Sequence, residues 1–191
     1  MVDPSYGLPS IDIPAEFQWR LGGEGDRPRL QHCLQLAFAE AFPEQTSWGH
    51  LSQTVERYFS PSSSPLWWID CICSKHLGSK SQAVNPSNAT AQQLSDSLSR
   101  SAVACVWVTR GVGQATGCPV AYIMALWVSP NYRRQGLGSA ALQAVREWGE
   151  RVGCTAIELQ VFGRNQSAHR FYRAQGFGEV GSWLQLPLQN V

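Results

Sequence analysis

The stretch that decides the fold runs from Tyr122 to Ser139 and reads YIMALWVSPNYRRQGLGS. Its first part, as far as Val128, is an apolar run rich in β-forming residues, which predicts a buried strand that Pro130 ends. Its two glycines stand where apolar residues begin to recur with helical spacing, a pattern that continues to Val152. A glycine-containing loop between a strand and a helix lets backbone amides hold a phosphate group.

The pattern of apolar residues on either side of this stretch predicts a mixed α/β (α+β) fold. Strands are predicted at Glu16–Leu21, Leu66–Ile72, Val103–Thr109, Val120–Val128, Ala156–Phe162 and within Val180–Leu188. Helices are predicted at Arg27–Phe42, Trp48–Phe59, Gly136–Val152 and Asn165–Gln175. In this order, β-α-α-β-β-β-α-β-α-β, an antiparallel hairpin leads into one parallel β-α-β unit. The sequence therefore predicts a mixed sheet of about six to seven strands flanked by helices.

The length of the chain fits one domain, residues 1–191, with a polar insertion at about 74–101. Ser, Gln, Asn and Ala dominate Ser74–Ser101, and large apolar residues are almost absent from it. Such a segment buries too little surface to offset the cost of ordering it, which predicts a long polar loop. A specific recognition loop is the alternative.

The bulk composition sets limits on partners and location. The formal net charge is +1, so neither nucleic acid nor an anionic membrane is predicted as a partner. No apolar run is long enough to span a bilayer, and the residues after Met1 lack a signal-peptide pattern. We therefore expect a cytoplasmic protein whose six cysteines are reduced thiols. Its histidines and cysteines lack ligand-like spacing, and no metal site is predicted.

Three interpretations of Arg133–Ser139 are open on the residues alone. The first is a loop whose arginines are solvated, and the second is a phosphate site in which they make charge-assisted hydrogen bonds. The third is a dinucleotide fold, because Gly136-x-Gly138-x-x-Ala141 fits G-x-G-x-x-A and Glu158 follows at a suitable distance. Against the third, the glycines do not follow the strand directly and Glu158 falls within a predicted strand. A P-loop is excluded, since its motif is absent.

The residues around this loop, together with a second segment later in the chain, favour a particular family. In Tyr122–Ser139, a strand ending in Val-x-Pro leads into Arg-x-x-Gly-x-Gly, which resembles the acetyl-CoA site of the GNAT superfamily of N-acetyltransferases. Asn165–Phe177, NQSAHRFYRAQGF, is similar to the second motif of that family, N-x-x-A-x-x-x-Y-x-x-x-G-F. The close match covers about Ala121–Phe177, whereas the N-terminal half matches only in the order of its elements.

This resemblance implies a function and a set of site residues. The sheet is expected to splay open between the strands Val120–Val128 and Ala156–Phe162, with the pantetheine arm of acetyl-CoA paired to the backbone of Leu126, Trp127 and Val128. The pyrophosphate would be held by a run of residues at the loop: Arg133, Arg134, Gln135, Gly136, Leu137, Gly138 and Ser139. Asn165 would position the arm, and Tyr172 would be the general acid for the departing thiolate. Acetyl-CoA would then be the cosubstrate and no metal would take part.

The acceptor is expected to be the primary amine of a small molecule or of a protein or peptide N-terminus. The general base is unassigned, because Gln160 and Met124 stand where members of the family often carry a carboxylate. Glu158, Asp70 or a carboxylate of the first helices are alternatives, acting through water. The rival interpretation is an acyl-CoA-binding or interaction module that keeps the fold without turnover. The sequence leaves the acceptor, the acyl-chain preference and the oligomeric state open.

Overall fold

The computed structural model describes residues 7–72 and 102–186. The chain divides into two compact units, Met1–Gln160 and Val161–Val191, and each is described by itself. The predicted polar insertion at about 74–101 lies outside the described residues. The prediction that the whole chain acts as one domain stays a prediction.

The first unit contains five strands and three α-helices among its described residues. Its strands are β1 (Phe17–Leu21), β2 (Leu66–Cys71), β3 (Ala102–Val112), β4 (Pro119–Val128) and β5 (Ala156–Leu159). Its helices are α1 (Arg27–Ala41), α2 (Gly49–Tyr58) and α3 (Leu137–Arg151), with short 3-10 turns at Glu24–Asp26 and Pro130–Tyr132. The second unit contains one described helix, α4 (Gln166–Ala174). These bounds confirm the predicted elements as far as α4, with shifts of a few residues.

The five described strands form one mixed sheet in the order β1-β2-β3-β4-β5, fewer than the six to seven strands that the sequence predicts. The first three pairings are antiparallel, and β4 pairs with β5 in parallel. Since β4 and β5 are joined through α3, they form the single β-α-β unit that the sequence predicts. This arrangement excludes a dinucleotide fold, which needs a mostly parallel sheet built from two such halves.

Helices cover both faces of the sheet because side chains of successive strand residues point to opposite faces. On one face, α1 and α2 bury Leu30, Leu34 and Leu51 against the indoles of Trp68, Trp107 and Trp127. On the other face, α3 buries Leu137 beside Phe17 and Ile69, and Trp148 of α3 stacks edge-on against Trp67.

The predicted strand within Val180–Leu188 is wrong over the described residues 180–186, which form no regular element. Four apolar side chains of this stretch are 75–90% exposed: Val180, Trp183, Leu184 and Leu186. Because these side chains bury little surface, the apolar pattern alone does not produce a strand here. The strand predicted at Ala156–Phe162 is also shorter than expected and ends at Leu159.

Two further findings concern the cysteines and the hydrophobicity of the helices. The described cysteines, residues 33, 71, 105, 118 and 154, are free thiols. Among residues 7–72 and 102–186, no helix has both the length and the apolar character that crossing a membrane requires.

Candidate active site

The sheet opens between β4 and β5 part of the way along β4. Their parallel pairing begins at Val120↔Ala156 and ends at Ile123↔Leu159, whereas β4 continues to Val128. Within the described part of the first unit, the last residues of β4 therefore have a strand neighbour on the β3 side only. The family resemblance predicts an opening of this kind.

A β-bulge lies at the point where the two strands part. Trp107 pairs with Ala125 and Val108 pairs with Ile123, so Met124 is an extra residue on β4. A bulge bends its strand and increases the local twist. Met124 immediately follows the last β4–β5 pair, so the bulge coincides with the point where the parallel pairing stops.

The register shows which backbone groups of β4 face the opening. Ser129 donates its N–H to the carbonyl of Val103 at 2.8 Å. In an antiparallel ladder, hydrogen-bonded residues alternate with residues whose N–H and C=O point the other way. Trp127 therefore directs its main chain toward β3, while Leu126 and Val128 direct theirs toward the open side. Three β4 residues are predicted to pair with the cofactor arm. Two of them, Leu126 and Val128, have their N–H and C=O groups on the open side.

The loop after β4 is held at both ends and exposed in the middle. Tyr132 packs edge-on against Phe17, with ring centroids 5.9 Å apart, and Leu137 is 1% exposed. Between these anchors, residues 133–136 are all exposed.

Two residues of this loop have a left-handed backbone conformation. Arg134 has φ 61° and Gly136 has φ 83°, and left-handed residues of this kind turn successive amides toward one concave side. A left-handed arginine is strained by about 1 kcal/mol or more, and such strain is concentrated at functional sites. The helix α3 begins at the next residue with no side-chain cap, so its first amides and its dipole face the loop. The predicted pyrophosphate residues thus lie together at one helix N-terminus.

Arg133 is already engaged with other groups of the protein. Its Nε donates to the carbonyl oxygen of Val128 at 3.0 Å. Its Nη2 lies 2.7 Å from both carboxylate oxygens of Glu40 on α1. Sequence reasoning missed Glu40, because it precedes Arg133 by 93 residues and belongs to no recognisable motif.

Asn165 and Tyr172 lie in the second unit. Asn165 stands at the N-cap of α4, as predicted, and its Oδ1 accepts the amide of Ala168 at 3.1 Å. Tyr172 lies between the rings of Phe171 and Phe177, at centroid distances of 5.2 and 5.4 Å. Burial raises the pKa of Tyr172 to about 12. Its phenol therefore keeps its proton at every physiological pH.

Two of the carboxylates considered as general bases, Asp70 and Glu158, are in contact with other parts of the first unit. Asp70, on β2, accepts a hydrogen bond from Nε of Arg20 at 2.9 Å and is 6% exposed. Glu158 lies against the β3–β4 hairpin, since an ideal Cβ on Gly113 would be 2.8 Å from its Oε1. Burial, and to a lesser degree the charge of Glu158, raises the pKa of the neighbouring Tyr122. Glu158 pairs with Tyr122, about 20 Å along β4 from its open end. Asp70 lies nearer to that end of the sheet, on β2, but its carboxylate is held by Arg20.

Comparison with known proteins agrees with this fold. Residues 98–177 match the model of the Acetyltransferase (GNAT) family, which spans β3, β4, the loop, α3, β5 and α4. The matched segment is 80 of the 191 residues of the chain, and over this segment the chain is similar to GNAT acetyltransferases.

Curated relatives include N-acetyltransferases for two kinds of acceptor. The aminoglycoside N(6')-acetyltransferase type 1 of Acinetobacter baumannii is 34% identical over 62 residues, which are 32% of this chain. The match spans only 42% of the length of that relative. The peptidyl-lysine N-acetyltransferase YiaC of Escherichia coli K12 is 27% identical over 170 residues, 86% of this chain and 90% of that protein.

Solved structures extend the likeness in fold over nearly the whole chain. An aminoglycoside acetyltransferase from an uncultured soil metagenomic sample, in complex with sisomicin, has a TM-score of 0.59 and 16% identity. The alignment covers 91% of this chain and 97% of that one. AAC(6')-Iy in complex with a bisubstrate analog, CoA-S-monomethyl-acetylneamine, has a TM-score of 0.55 and 14% identity over 92% of this chain and 100% of that one.

Proposed function

We propose that the protein is an acetyl-CoA-dependent N-acetyltransferase that acts on a primary amine. The observation that carries this proposal is the conjunction, in one unit, of an open β4 edge and an uncapped, left-handed loop at the start of α3. An open strand edge alone, or an uncapped helix N-terminus alone, is compatible with many kinds of protein. Together they match a ligand that has an amide-bearing arm at one end and a pyrophosphate at the other.

The residues fit the two parts of this cosubstrate. The amide-bearing arm would pair with the edge of β4 at Leu126 and Val128, in the manner of an added strand. Backbone amides of Arg134–Ser139 would hold the pyrophosphate, helped by the positive end of the α3 dipole. Asn165 uses its oxygen to cap α4, so its side-chain amide donors are the groups with which it would position the arm.

Acetyl-CoA supplies an activated acetyl thioester. As the amine forms a C–N bond to the carbonyl carbon, the C–S bond breaks, the amine gives up a proton and the departing sulfur takes one up. Tyr172 is the proposed donor of the proton that goes to sulfur. The phenol is protonated before the reaction, which is the state that a general acid needs, while the rise of its pKa to about 12 makes it a weaker acid than an ordinary tyrosine.

The general base stays unassigned. Glu40 is paired with Arg133, Asp70 is paired with Arg20, and Glu158 lies at the far end of β4. An amine that arrives neutral, or that loses its proton to water, needs no carboxylate from these positions. We therefore expect the rate to rise with pH until the amine is largely deprotonated, because only the neutral amine is nucleophilic.

Primary amines are the proposed acceptors because the named relatives act on an aminoglycoside and on peptidyl lysine. A small molecule and a peptide amine, including a peptide N-terminus, both stay within this proposal. The main rival is a module that binds acyl-CoA without turnover, and it is favoured by Gln160 and Met124, which cannot take up a proton.

The test is amine-dependent release of coenzyme A. The purified protein is mixed with acetyl-CoA and, separately, an aminoglycoside, a lysine peptide with a blocked N-terminus, and a peptide with a free N-terminus. Free thiol is followed against the amine-free reaction, and the products are weighed by mass spectrometry. We expect at least one amine to accelerate thiol release and to gain one acetyl group. Binding of coenzyme A without acceleration by any amine would favour the rival, and absence of binding would refute both.

A further inference from the structure

Arg133 connects two parts of the first unit that are far apart in sequence. Its Nε binds the carbonyl oxygen of Val128, at the end of β4, at 3.0 Å. Its Nη2 binds both oxygens of Glu40, near the end of α1, at 2.7 Å. Nη2 alone makes both contacts with Glu40, so the planar guanidinium is held at two points, Nη2 on α1 and Nε on the end of β4.

The carbonyl that Arg133 occupies is one of those that face the opening beside β4. The alternation of the β3–β4 ladder turns the main chains of Leu126 and Val128 toward that side. With the Val128 oxygen bound to Arg133, the edge offers an arriving amide the N–H of Val128 and both groups of Leu126. A ligand strand can then pair in one register more favourably than in the next.

Stability does not explain the ion pair. The side chains of Arg133 and Glu40 are 40% and 42% exposed, and pairs this exposed contribute little to folding. The ion pair can have a larger effect on the rate of the reaction, through the register of a bound arm. A slip to the next equivalent position on a strand is two residues, or about 7 Å, whereas a misplacement of about 1 Å already slows a reaction markedly.

We propose that Glu40 is a positioning residue, which acts through Arg133 on the Val128 carbonyl to set the register of the cosubstrate arm along β4. This inference rests on the proposed function. It assigns Arg133 to the arm and leaves the pyrophosphate to the backbone amides of the loop. In the competing assignment, Arg133 binds the pyrophosphate. The two assignments predict different effects of Arg133→Ala on the reaction with a cosubstrate that lacks the pyrophosphate.

Acetyl-pantetheine separates these assignments, because it has the arm and the thioester but no pyrophosphate. Glu40→Ala and Arg133→Ala are each assayed with acetyl-CoA and with acetyl-pantetheine at one fixed amine concentration. We expect both variants to lower kcat/KM by about ten- to 150-fold, the range of a lost hydrogen bond to a charged group, and by the same factor with either donor. Glu40→Ala should have no further effect in the Arg133→Ala background, since coupled residues are not additive.

Each variant has a control in which a residue with the same charge is removed from another exposed position. Glu56→Ala on α2 and Arg146→Ala on α3 change surface side chains and should leave kcat/KM for both donors unchanged. Glu40→Gln keeps the shape of the side chain and one acceptor, so it should recover part of the loss. It also replaces Glu40→Ala if that variant does not fold, as judged by its melting temperature.

Each result decides one question. An effect of Arg133→Ala with acetyl-CoA alone would make Arg133 a pyrophosphate ligand and overturn the inference. So would a Glu40→Ala variant that behaves like Glu56→Ala. If the wild type transfers no acetyl group to any amine, the proposed activity fails separately, and calorimetry with coenzyme A and pantetheine replaces the rates. Equal affinities of wild type and Glu40→Ala for both ligands would then refute the positioning role.

Discussion

Gly149 of α3 lies directly over Ala121 of β4, so closely that an ideal Cβ on Gly149 would be 3.2 Å from the Cβ of Ala121. This contact sets the distance between α3 and the strand that lines the opening. We predict that Gly149→Val lowers the free energy of unfolding by about 1–3 kcal/mol through overpacking. For a chain of this size, the melting temperature should fall by about 3–10 °C.

Gly49→Val is the matched control, because Gly49 is also helical and an ideal Cβ there meets no heavy atom within 4 Å. Calorimetric melting of both variants checks the prediction. Equal melting temperatures would mean that the helix shifts at no cost and that Gly149 does not fix its distance from β4.

The sequence predicts well where the signal is local. The apolar run of β4, the proline after it and the helical spacing of α3 fall within one continuous stretch, so the strand, loop and helix are all predicted correctly. The segment at 180–186 shows the limit of such patterns. Its apolar residues suggest a strand, yet the segment forms no strand and Leu184 is 90% exposed. A strand is stable only beside a neighbouring strand, and the local sequence pattern does not show whether one is present.

The finer features of the candidate site could not be predicted for the same reason. The bulge at Met124 is defined only by the register of β4 against β3. The contact of Glu40 with Arg133 joins α1 to a loop that follows four later strands and helices. Both depend on how distant segments pack, and a single sequence carries no signal for that.

Gly138→Asp tests the pyrophosphate site. Gly138 is the second residue of α3, where an acidic side chain favours the helix dipole, so the variant should fold normally. Its carboxylate would meet the negative charge of the pyrophosphate, and we expect the affinity for coenzyme A to fall at least about tenfold, or 1.4 kcal/mol. Gly49→Asp adds the same charge to the first turn of α2 and should leave the affinity unaltered. Titration calorimetry on a folded Gly138→Asp variant that binds as tightly as the wild type would rule out this site.

Deleting residues 75–98 tests the predicted insertion. The strands on either side of it pair directly, with Ile69 opposite Ala104 and Asp70 opposite Ala102, so a short Gly/Ser linker can join their ends. Few apolar residues are removed, and shortening a loop changes its closure free energy by only about 0.6 kcal/mol per halving. We expect the melting temperature to stay within about 10 °C of the wild type. A Gly/Ser segment of the original length separates the effect of sequence from that of length, and a larger drop in both variants would reveal an ordered element.

The phenol of Tyr172 should titrate late. Burial raises its pKa to about 12, against an ordinary value of about 10. Its neutral form is therefore favoured by folding, and the associated stability is complete below about pH 10 and is lost as pH rises through about 12. The ultraviolet difference between wild type and Tyr172→Phe, followed through an alkaline titration, measures this transition. A phenolate that forms near pH 10 in the folded protein would contradict the burial of this side chain.

Tyr172→Phe also tests the proposed general acid. The substitution removes only the hydroxyl and keeps the ring between Phe171 and Phe177, so the fold and the affinity for coenzyme A should be preserved. General-acid assistance is typically worth about 10²–10⁴-fold, and we expect kcat to fall within or near that range. Phe171→Leu is a useful companion, because it disturbs the packing of the ring while leaving the hydroxyl in place. Steady-state kinetics with an active amine separate the outcomes. A change confined to KM would show that Tyr172 positions the cosubstrate without donating a proton, and unchanged kcat and KM would remove it from the mechanism.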